Sequence, residues 1–231
     1  MHIMEGFLPL NWCIFWYAVS LPFLVYGIYQ LNRLIKEQRD MLSVLAVAGA
    51  FIFVFSSLKM PSVTGSSSHP TGTGLSTILF GPFITAILSL IVLIFQALFM
   101  AHGGITTLGA NVFSMGIAGP LVGYAVFRAC KAVNLNFFLN VFLVSAIADL
   151  FTYVVTSIEL ALAFPAQVGG FTTSFITFAS IFAITQVPLS IIEGIIIALT
   201  FKYLIQTRGD IVVKLCVLSE EKMEKIRGAF E

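Results

Sequence analysis

The sequence predicts an all-α integral membrane protein, a bundle of about seven transmembrane helices. Hydrophobic residues make up 58% of the chain, charged residues make up 10%, and the mean hydropathy is +1.01, which is well outside the range of soluble proteins. Most apolar residues lie in long runs that short polar or glycine-rich segments separate. The 12 basic residues are scattered or lie at the ends of these runs, and the net charge of +1 argues against a nucleic-acid-binding surface.

The apolar runs define the expected helices in order. They extend over residues 10–29, 41–58, 75–80, 82–101, 111–129, 137–164 and 175–205. All but the third can cross a hydrocarbon layer of roughly 30 Å as helices of about 20 residues, allowing for tilt. The third run is too short to cross alone.

The basic residues set the expected orientation, because positively charged loops are usually cytoplasmic. This rule places inside the residues Arg33, Lys36, Arg39, Arg128, Lys131, Lys202, Arg208 and Lys214. We therefore expect the N-terminus outside and the C-terminus in the cytoplasm. The same pattern divides the chain into a membrane domain over residues 1–205 and a charged cytoplasmic tail over residues 206–231.

The segment over residues 61–74 (PSVTGSSSHPTGTG) is expected to enter the protein. With the orientation above, the chain is outside after residue 58, inside near Gly81 and outside again at His102. The short third run cannot make this descent, so part of the depth must be covered by a non-helical loop. Such a loop is tolerated at membrane depth only where protein or a polar cavity surrounds it. His69 would then lie inside the protein, below the outer surface.

The first two residues form a candidate metal chelate. The Met1 amine, the amide nitrogen between Met1 and His2, and the His2 imidazole are three nitrogens joined by fused rings. The amine has a reference pKa of roughly 7.7 to 8.0, so it loses its proton readily at neutral pH. The amide must also lose its proton, which favours Ni(II) or Cu(II) and, less strongly, Co(II). No signal peptide pattern is present at this end, so we expect Met1 to be the mature terminus.

A planar ion would need a fourth ligand, and the chain has two other histidines. His69 is the better candidate, because the expected topology buries it on the same side as the N-terminus. A histidine beside the first residue is more often a solvated terminal residue, so the prediction depends on this context. The three cysteines show no ligand spacing and are interpreted as small apolar residues or free thiols.

Three stretches of this sequence carry a resemblance to a known family. They are MHIMEGFLP at the start, SLKMPSVTGSSSHPTGTG around His69, and FQALFMAHGGITTLGANVFSMGIAGP around His102. Over about residues 1–205 the chain resembles the CbiM and NikM family, the substrate-binding membrane component of energy-coupling-factor cobalt and nickel importers. The resemblance implies a seven-helix protein that binds its transported ion through the Met1 amine, the Met1–His2 amide nitrogen, the His2 ring and His69. The stretch from residue 210 to 231 lies outside the resemblance.

Within the family, the Met-Glu-Gly continuation and SSSHPTG are closer to the cobalt-type members, so Co(II) is the expected substrate and Ni(II) the alternative. The resemblance also implies partners: a small accessory membrane protein, a transmembrane coupling protein and a pair of cytosolic ATPases. The chain has no Gly-x4-Gly-Lys-Ser/Thr nucleotide loop. We therefore expect a transport component and not an enzyme, with ATP hydrolysis supplied by separate subunits.

Several polar residues are candidates for supporting the metal site. They are Ser66, Ser68, Thr71, His102 and Asn111. The hydroxyls could hold the loop or orient the His69 ring. His102 is open as a ligand, a supporting group or a structural histidine, with the last two favoured because His69 completes the ligand set.

Two features within the apolar runs have a less definite interpretation. The small residues Ala46, Gly49 and Ala50 share a helix face and are a candidate surface for the coupling protein, with internal packing as the alternative. The carboxylates of Asp149, Glu159 and Glu193 fall within spans, where we favour a role in lining the bundle over proton transport.

Two other function classes fit the sequence less well. An intramembrane protease would need a motif such as His-Glu-x-x-His or a Gly-x-Ser-Gly elbow, and the stretch Gly65-Ser66-Ser67-Ser68 lacks the second glycine. A channel or secondary transporter would be expected to show repeated halves or a charged relay, and no convincing internal repeat is visible.

Overall fold

The computed structural model describes residues 2–62 and 65–229, which form a helical bundle with one small sheet at one end. The helices are α1 (Leu10–Glu37), α2 (Leu42–Ser57), α3 (Thr73–Phe80), α4 (Pro82–Phe99), α5 (Leu108–Asn111), α6 (Gly119–Ala132), α7 (Phe137–Ala163), α8 (Gly170–Lys214) and α9 (Glu220–Gly228). A 3-10 turn (Arg39–Met41) precedes α2, and a π-helical segment (Val112–Ala118) joins α5 to α6. The strands are β1 (His2–Ile3), β2 (Met60–Pro61) and β3 (Ser66–Ser68), in the order β1-β3-β2.

Six helical stretches within the described residues are long and apolar enough to cross a membrane. They are Leu10–Glu37, Arg39–Ser57, Pro82–Phe99, Leu108–Ala132, Phe137–Ala163 and Gly170–Lys214. These stretches correspond to the six long apolar runs, and the short third run is α3. The prediction of an all-α membrane bundle is confirmed, whereas the count of about seven transmembrane helices and the orientation stay predictions.

The bundle has two distinct ends. The end that carries the sheet is called the site end below. At the opposite end, the charged end, Lys214 of α8 pairs with Asp40 after α1, with 2.5 Å between Nζ and Oδ2. Lys131 at the end of α6 donates to the carbonyl oxygen of Val217 at 3.0 Å. Basic side chains therefore connect the chain near the ends of α1, α6 and α8 at the charged end.

The chain crosses the bundle between these ends with a loop followed by a short helix. Residues 65–72, called the His69 loop below, enter from the site end. Helix α3 follows, and all eight of its residues are buried. It ends at Gly81, which lies near Tyr124 and Cys216 at the charged end. Since eight helical residues rise only about 12 Å, the loop covers the remaining depth, as the sequence predicted.

Two apolar clusters fill the interior. The larger one joins α2, α3, α4, α6, α7 and α8 and includes Ile52, Leu93 and Phe201, all buried. The smaller one lies at the site end, where Trp16 and Phe182 pack with residues of the N-terminal strand and α7. Many large apolar side chains on the outside of the bundle are exposed, as expected for surfaces that contact lipid.

The C-terminal tail packs against the charged end of the bundle. Helix α8 bends at Arg208 (φ −140°, ψ 50°) and continues to Lys214, so the expected boundary after residue 205 lies within this helix. Beyond the bend, Val212, Val217 and Met223 are buried in the larger cluster. The tail is therefore an extension of the bundle core at the charged end.

The small-residue face of α2 lies on the outside of the bundle. Ala46 and Ala50 are exposed and Gly49 is half-buried. Together with Leu31 of α1 and Phe95 of α4 they line an apolar groove of about 400 Å³. The role of this groove as a contact for the coupling protein stays a prediction.

Candidate metal centre

The N-terminal segment, defined here as residues 2–6, enters the site as a β-strand. Strand β1 pairs antiparallel with β3, so that His2 faces Ser67 and Ile3 faces Ser66. The amide of Met4 extends this pairing by donating to the carbonyl oxygen of Gly65 at 2.9 Å. The pairing brings His2 beside the His69 loop. Met1, the remaining predicted ligand, lies outside the described residues.

Asn111 and Thr107 fix the main chain next to His2. The Asn111 side chain accepts from the amide of Ile3 at 2.7 Å and donates to the carbonyl oxygen of Ile3 at 3.0 Å. The hydroxyl of Thr107 donates to the same carbonyl oxygen at 2.7 Å. Asn111 therefore makes the two main-chain hydrogen bonds that a neighbouring strand would make with Ile3. It contacts the N-terminal segment and not the His69 ring.

The three histidines of the chain meet in one buried cluster. One ring nitrogen from each of His2, His69 and His102 lies within 4.8 Å of the others. His2 is 1% exposed, His69 0% and His102 3%, so bulk water does not compete for these nitrogens. The shortest separation is 2.6 Å, between Nδ1 of His2 and Nε2 of His69.

This separation is slightly shorter than that between two neighbouring ligands of one metal ion. Metal–nitrogen bonds of about 2.0 to 2.1 Å at right angles place adjacent nitrogens about 2.8 to 3.0 Å apart, so the two rings would separate by a few tenths of an ångström to bind one ion. Nδ1 is also the only ring nitrogen of His2 that can close a small chelate ring with its own main chain. Nδ1 of His69 donates to the carbonyl oxygen of Pro70 at 3.0 Å. The Nε2 atom of His69 is therefore unprotonated, and its lone pair faces His2.

The surroundings keep the His2 and His102 imidazoles neutral, as metal binding requires. Burial lowers the pKa of His2 well below its usual value, and the neighbouring His69 and His102 lower it further, while the Gln96 side chain opposes the shift. Burial is also the main cause that lowers the pKa of His102, to about 3.

His102 covers one face of the His2 ring. The two rings are stacked, with 3.9 Å between centroids and 30° between planes. Nε2 of His102 lies 2.9 Å from the hydroxyl oxygen of Ser67, while its Nδ1 has no hydrogen-bond partner among the described residues. Gly103 allows this stacking, because a Cβ there would lie 2.8 Å from Cδ2 of His2 and its φ of +79° suits glycine.

The other predicted supporting residues hold the His69 loop in place. Ser66 is buried in β3 beside Ile3. The Ser68 hydroxyl oxygen accepts from the hydroxyl of Thr185 on α8 at 2.9 Å. Thr71 donates from both its amide and its hydroxyl to Glu193 on α8. The Ser68 and Thr71 hydroxyls therefore contact α8, and their role at the metal site stays a prediction.

Three further residues reach the site, and sequence reasoning did not assign them to it. Tyr153 on α7 contacts the main chain of His69, and Glu193 on α8 contacts the next turn of the loop. Gln96 on α4 donates to the hydroxyl oxygen of Ser56 at 2.8 Å, while its own Oε1 has no partner among the described residues. Only Glu193 carried a signal in the sequence, as a carboxylate within an apolar run.

Comparison with known proteins identifies relatives that share this sequence and fold. Residues 2–211 match the model of a family described as CbiM, the cobalt uptake substrate-specific transmembrane region. A relative from Methanosphaerula palustris that carries the CbiM name is 70% identical over 230 residues and covers all of both chains. The "Cobalt transport protein CbiM" of Carboxydothermus hydrogenoformans is 57% identical and covers 88% of this chain and 83% of its own. The tail beyond residue 210, expected to lie outside the resemblance, is thus shared with the first of these relatives.

Solved structures show the same fold. A truncated transition metal transporter superposes with a TM-score of 0.78 at 28% identity, covering 88% of this chain and 98% of its own. A second transition metal transporter gives a TM-score of 0.77 at 27% identity. With the six apolar helices, these relatives make the chain a multi-pass membrane protein.

Proposed function

The chain belongs to the CbiM cobalt uptake family, and we propose that it is the substrate-binding membrane component of an ATP-driven importer that takes up Co(II). One observation supports this proposal most strongly. The N-terminal segment pairs with the His69 loop, so that Nδ1 of His2 lies 2.6 Å from Nε2 of His69 in a buried site. The family name supports cobalt as the substrate, and the ligand set below is our proposal.

The proposed ligands are four nitrogens: the Met1 amine, the deprotonated Met1–His2 amide, Nδ1 of His2 and Nε2 of His69. The first three form fused chelate rings on one short stretch of chain, and His69 completes a plane from a separate loop. A planar set of strong nitrogen donors suits late first-row divalent ions such as Co(II) and Ni(II) and does not suit the octahedral oxygen coordination of Mg(II) or Ca(II). The proposed site therefore selects against the abundant hard cations by ligand type.

Proton transfer accompanies binding at defined atoms. Because Nδ1 of His69 donates to Pro70, the short contact between the rings assigns a proton to Nδ1 of His2, donated to Nε2 of His69. A metal at Nδ1 moves that proton to Nε2 of His2. The side chain of Gln96 lies close to the His2 ring. Its Oε1 has no donor among the described residues, so it could accept the proton on Nε2 of His2. The ring thus stays neutral in both states.

The energy for import is proposed to come from other subunits. We propose a small accessory membrane protein, a transmembrane coupling protein and a pair of cytosolic ATPases as partners, with the groove beside Ala46, Gly49 and Ala50 as the surface for the coupling protein. In this arrangement the chain binds Co(II) on the outer side and is not itself an enzyme. Ni(II) is the alternative substrate, because the same four nitrogens bind it.

Two measurements test this function. Competitive titration of the purified protein with Co(II), Ni(II) and Mg(II) should give tight binding of Co(II) and no measurable binding of Mg(II). A higher affinity for Ni(II) would reassign the substrate. Vesicles that contain this chain with the coupling protein and ATPases should accumulate Co(II) only when ATP is supplied. Accumulation by this chain alone would instead support a secondary transporter or channel.

A further inference from the structure

The main chain of His69 is held by the hydroxyl group of Tyr153. This oxygen accepts a hydrogen bond from the amide of His69 at 2.8 Å and donates one to the carbonyl oxygen of His69 at 2.9 Å. Both groups are fully or almost fully buried. The phenol is itself fixed, because its ring packs edge-on against Phe182 of α8 with 5.2 Å between centroids. One side-chain oxygen thus satisfies both main-chain groups of His69.

The following turn of the His69 loop is held from the neighbouring helix by Glu193. Its Oε2 accepts from the amide of Thr71 at 2.6 Å. Its Oε1 accepts from the Thr71 hydroxyl at 3.0 Å and from the amide of Gly72 at 2.9 Å. Three donors on one fully buried carboxylate offset the cost of removing it from water. The contrast is Glu159 on α7, which is equally buried and has no hydrogen-bond partner among the described residues.

These contacts fix the direction in which the His69 ring projects. The main chain is held at His69 by α7 and two residues later by α8, and Pro70 between them restricts the backbone. The ring is then fixed by its own bond from Nδ1 to Pro70. Nothing in this chain of contacts involves His2. The contacts from α7 and α8 therefore hold the His69 main chain independently of the N-terminal segment.

We propose that Tyr153 and Glu193 are positioning residues, which hold the His69 main chain so that Nε2 faces Nδ1 of His2. The inference rests on the proposed function, because it requires His69 to bind the metal. It assigns the two helices distinct parts: α7 fixes His69 itself, and α8 fixes the loop that follows. Loss of either contact lets the ring turn away from the plane of the other nitrogens and lowers the affinity for Co(II).

The first test removes a single oxygen atom. Tyr153→Phe keeps the ring and its packing on Phe182 but leaves the amide and carbonyl of His69 unpaired. We expect Co(II) to bind about 10 to 100-fold more weakly, the range usual for groups that orient a metal ligand. Tyr124→Phe is the matched control, because Tyr124 lies at the charged end, far from the site. It should bind Co(II) with wild-type affinity.

The second test uses the two buried glutamates. Glu193→Gln places an amide nitrogen where a carboxylate oxygen accepts a hydrogen bond, so one buried donor of the loop loses its partner. Glu159→Gln removes the same buried group without a hydrogen bond to the loop, so it measures the effect of the charge alone. We expect Glu193→Gln to weaken Co(II) binding by roughly the factor given above and by clearly more than Glu159→Gln. Thermal unfolding of the metal-free variants reports whether each is folded.

A combination with His69→Ala separates positioning from general damage to the fold. His69→Ala should retain weak Co(II) binding by the remaining nitrogens, and if Tyr153 acts through His69, Tyr153→Phe should cause no further loss of this residual affinity. The visible absorption band of the bound Co(II) should also shift in Tyr153→Phe and not in Tyr124→Phe, because the ligand plane is distorted. Equal losses with and without His69, or wild-type binding by both Tyr153→Phe and Glu193→Gln, would overturn the inference. If His69→Ala itself binds as wild type does, the ligand assignment fails instead.

Discussion

The two chain segments that supply the proposed metal site are held in different ways. The N-terminal segment runs from the surface, where Met4 is 52% exposed, to the buried His2, and its main chain is held by Asn111, Thr107 and β3. The His69 loop lies inside the bundle, where residues 68–72 are buried and contact α7 and α8. One histidine therefore comes from a segment that enters from the surface, and the other is part of the bundle.

This difference assigns separate tasks to the two segments. In the proposed site, the His69 loop provides a ligand whose position depends on the transmembrane helices. The N-terminal segment pairs with this loop and supplies the proposed chelating nitrogens. Its hydrogen bonds run to the loop after α4 and to α5, as shown by Gly6, whose amide donates to the Thr106 hydroxyl at 3.1 Å. Entry and release of the ion are therefore expected to involve the N-terminal segment more than the His69 loop.

The largest effect is expected from the fixed half of the site. His69→Ala removes one of four proposed ligands and should abolish tight Co(II) binding, a loss larger than the roughly 100-fold upper range of supporting groups. The loop keeps its hydrogen bonds to Tyr153 and Glu193, so the protein should stay folded. Isothermal titration in detergent measures the affinity, and wild-type affinity would refute the fourth-ligand assignment.

A smaller loss of Co(II) affinity is expected when the N-terminal segment loses its contacts with Asn111. Asn111→Ala removes two hydrogen bonds from Ile3 while all three histidines remain. We expect Co(II) to bind about 10 to 100-fold more weakly, because the segment must be ordered by the ion itself. Melting of the metal-free protein should change little, since the N-terminal segment lies outside the larger apolar core. A large loss of stability without a loss of affinity would contradict the separation of tasks.

The sequence predicted the segments that carry His2 and His69, but it did not predict the residues that hold the His69 loop. The chelating pattern of Met1 and His2 was predicted from local spacing alone. The burial of His69 was predicted from the number of spans and the side of the membrane on which each one ends. Tyr153 was not predicted, because a tyrosine in an apolar run gives no sign that its hydroxyl meets a loop 84 positions away. Glu193 was expected only to line the bundle. Its partners are main-chain amides, which every residue except proline carries and which leave no pattern in a sequence.

His102 should matter less than His69. It covers one face of the His2 ring, and Ser67 engages its Nε2. His102→Ala should therefore weaken Co(II) binding by about 10-fold, at the low end for supporting groups. The same titration compares the two variants directly. A greater loss for His102→Ala than for His69→Ala would identify His102 as the ligand.

The smallest effect concerns the pH dependence of the metal-free protein. The pKa values of the buried His2 and His102 are lowered in the folded state, for His102 to about 3, whereas the unfolded chain takes up protons from about pH 6.5 downward. The contribution of these two neutral rings to stability should therefore be fully present above pH 6.5 and be lost as the pH falls below it. Melting temperatures from pH 7.5 to 5 measure this, and His102→Ala should show a shallower decline. An unchanged slope in that variant would contradict neutral burial of the ring.

The account rests on the N-terminal amine as a ligand, and one residue added before Met1 tests it most directly. The extension turns the amine into an amide without changing any side chain, and it adds bulk next to the buried His2 ring. Titration of Co(II) into this protein and into one with a tag after Glu231 compares the two ends of the chain. The account predicts that the N-terminal extension abolishes tight binding while the C-terminal tag leaves it unchanged. Equal affinity of both proteins would contradict it.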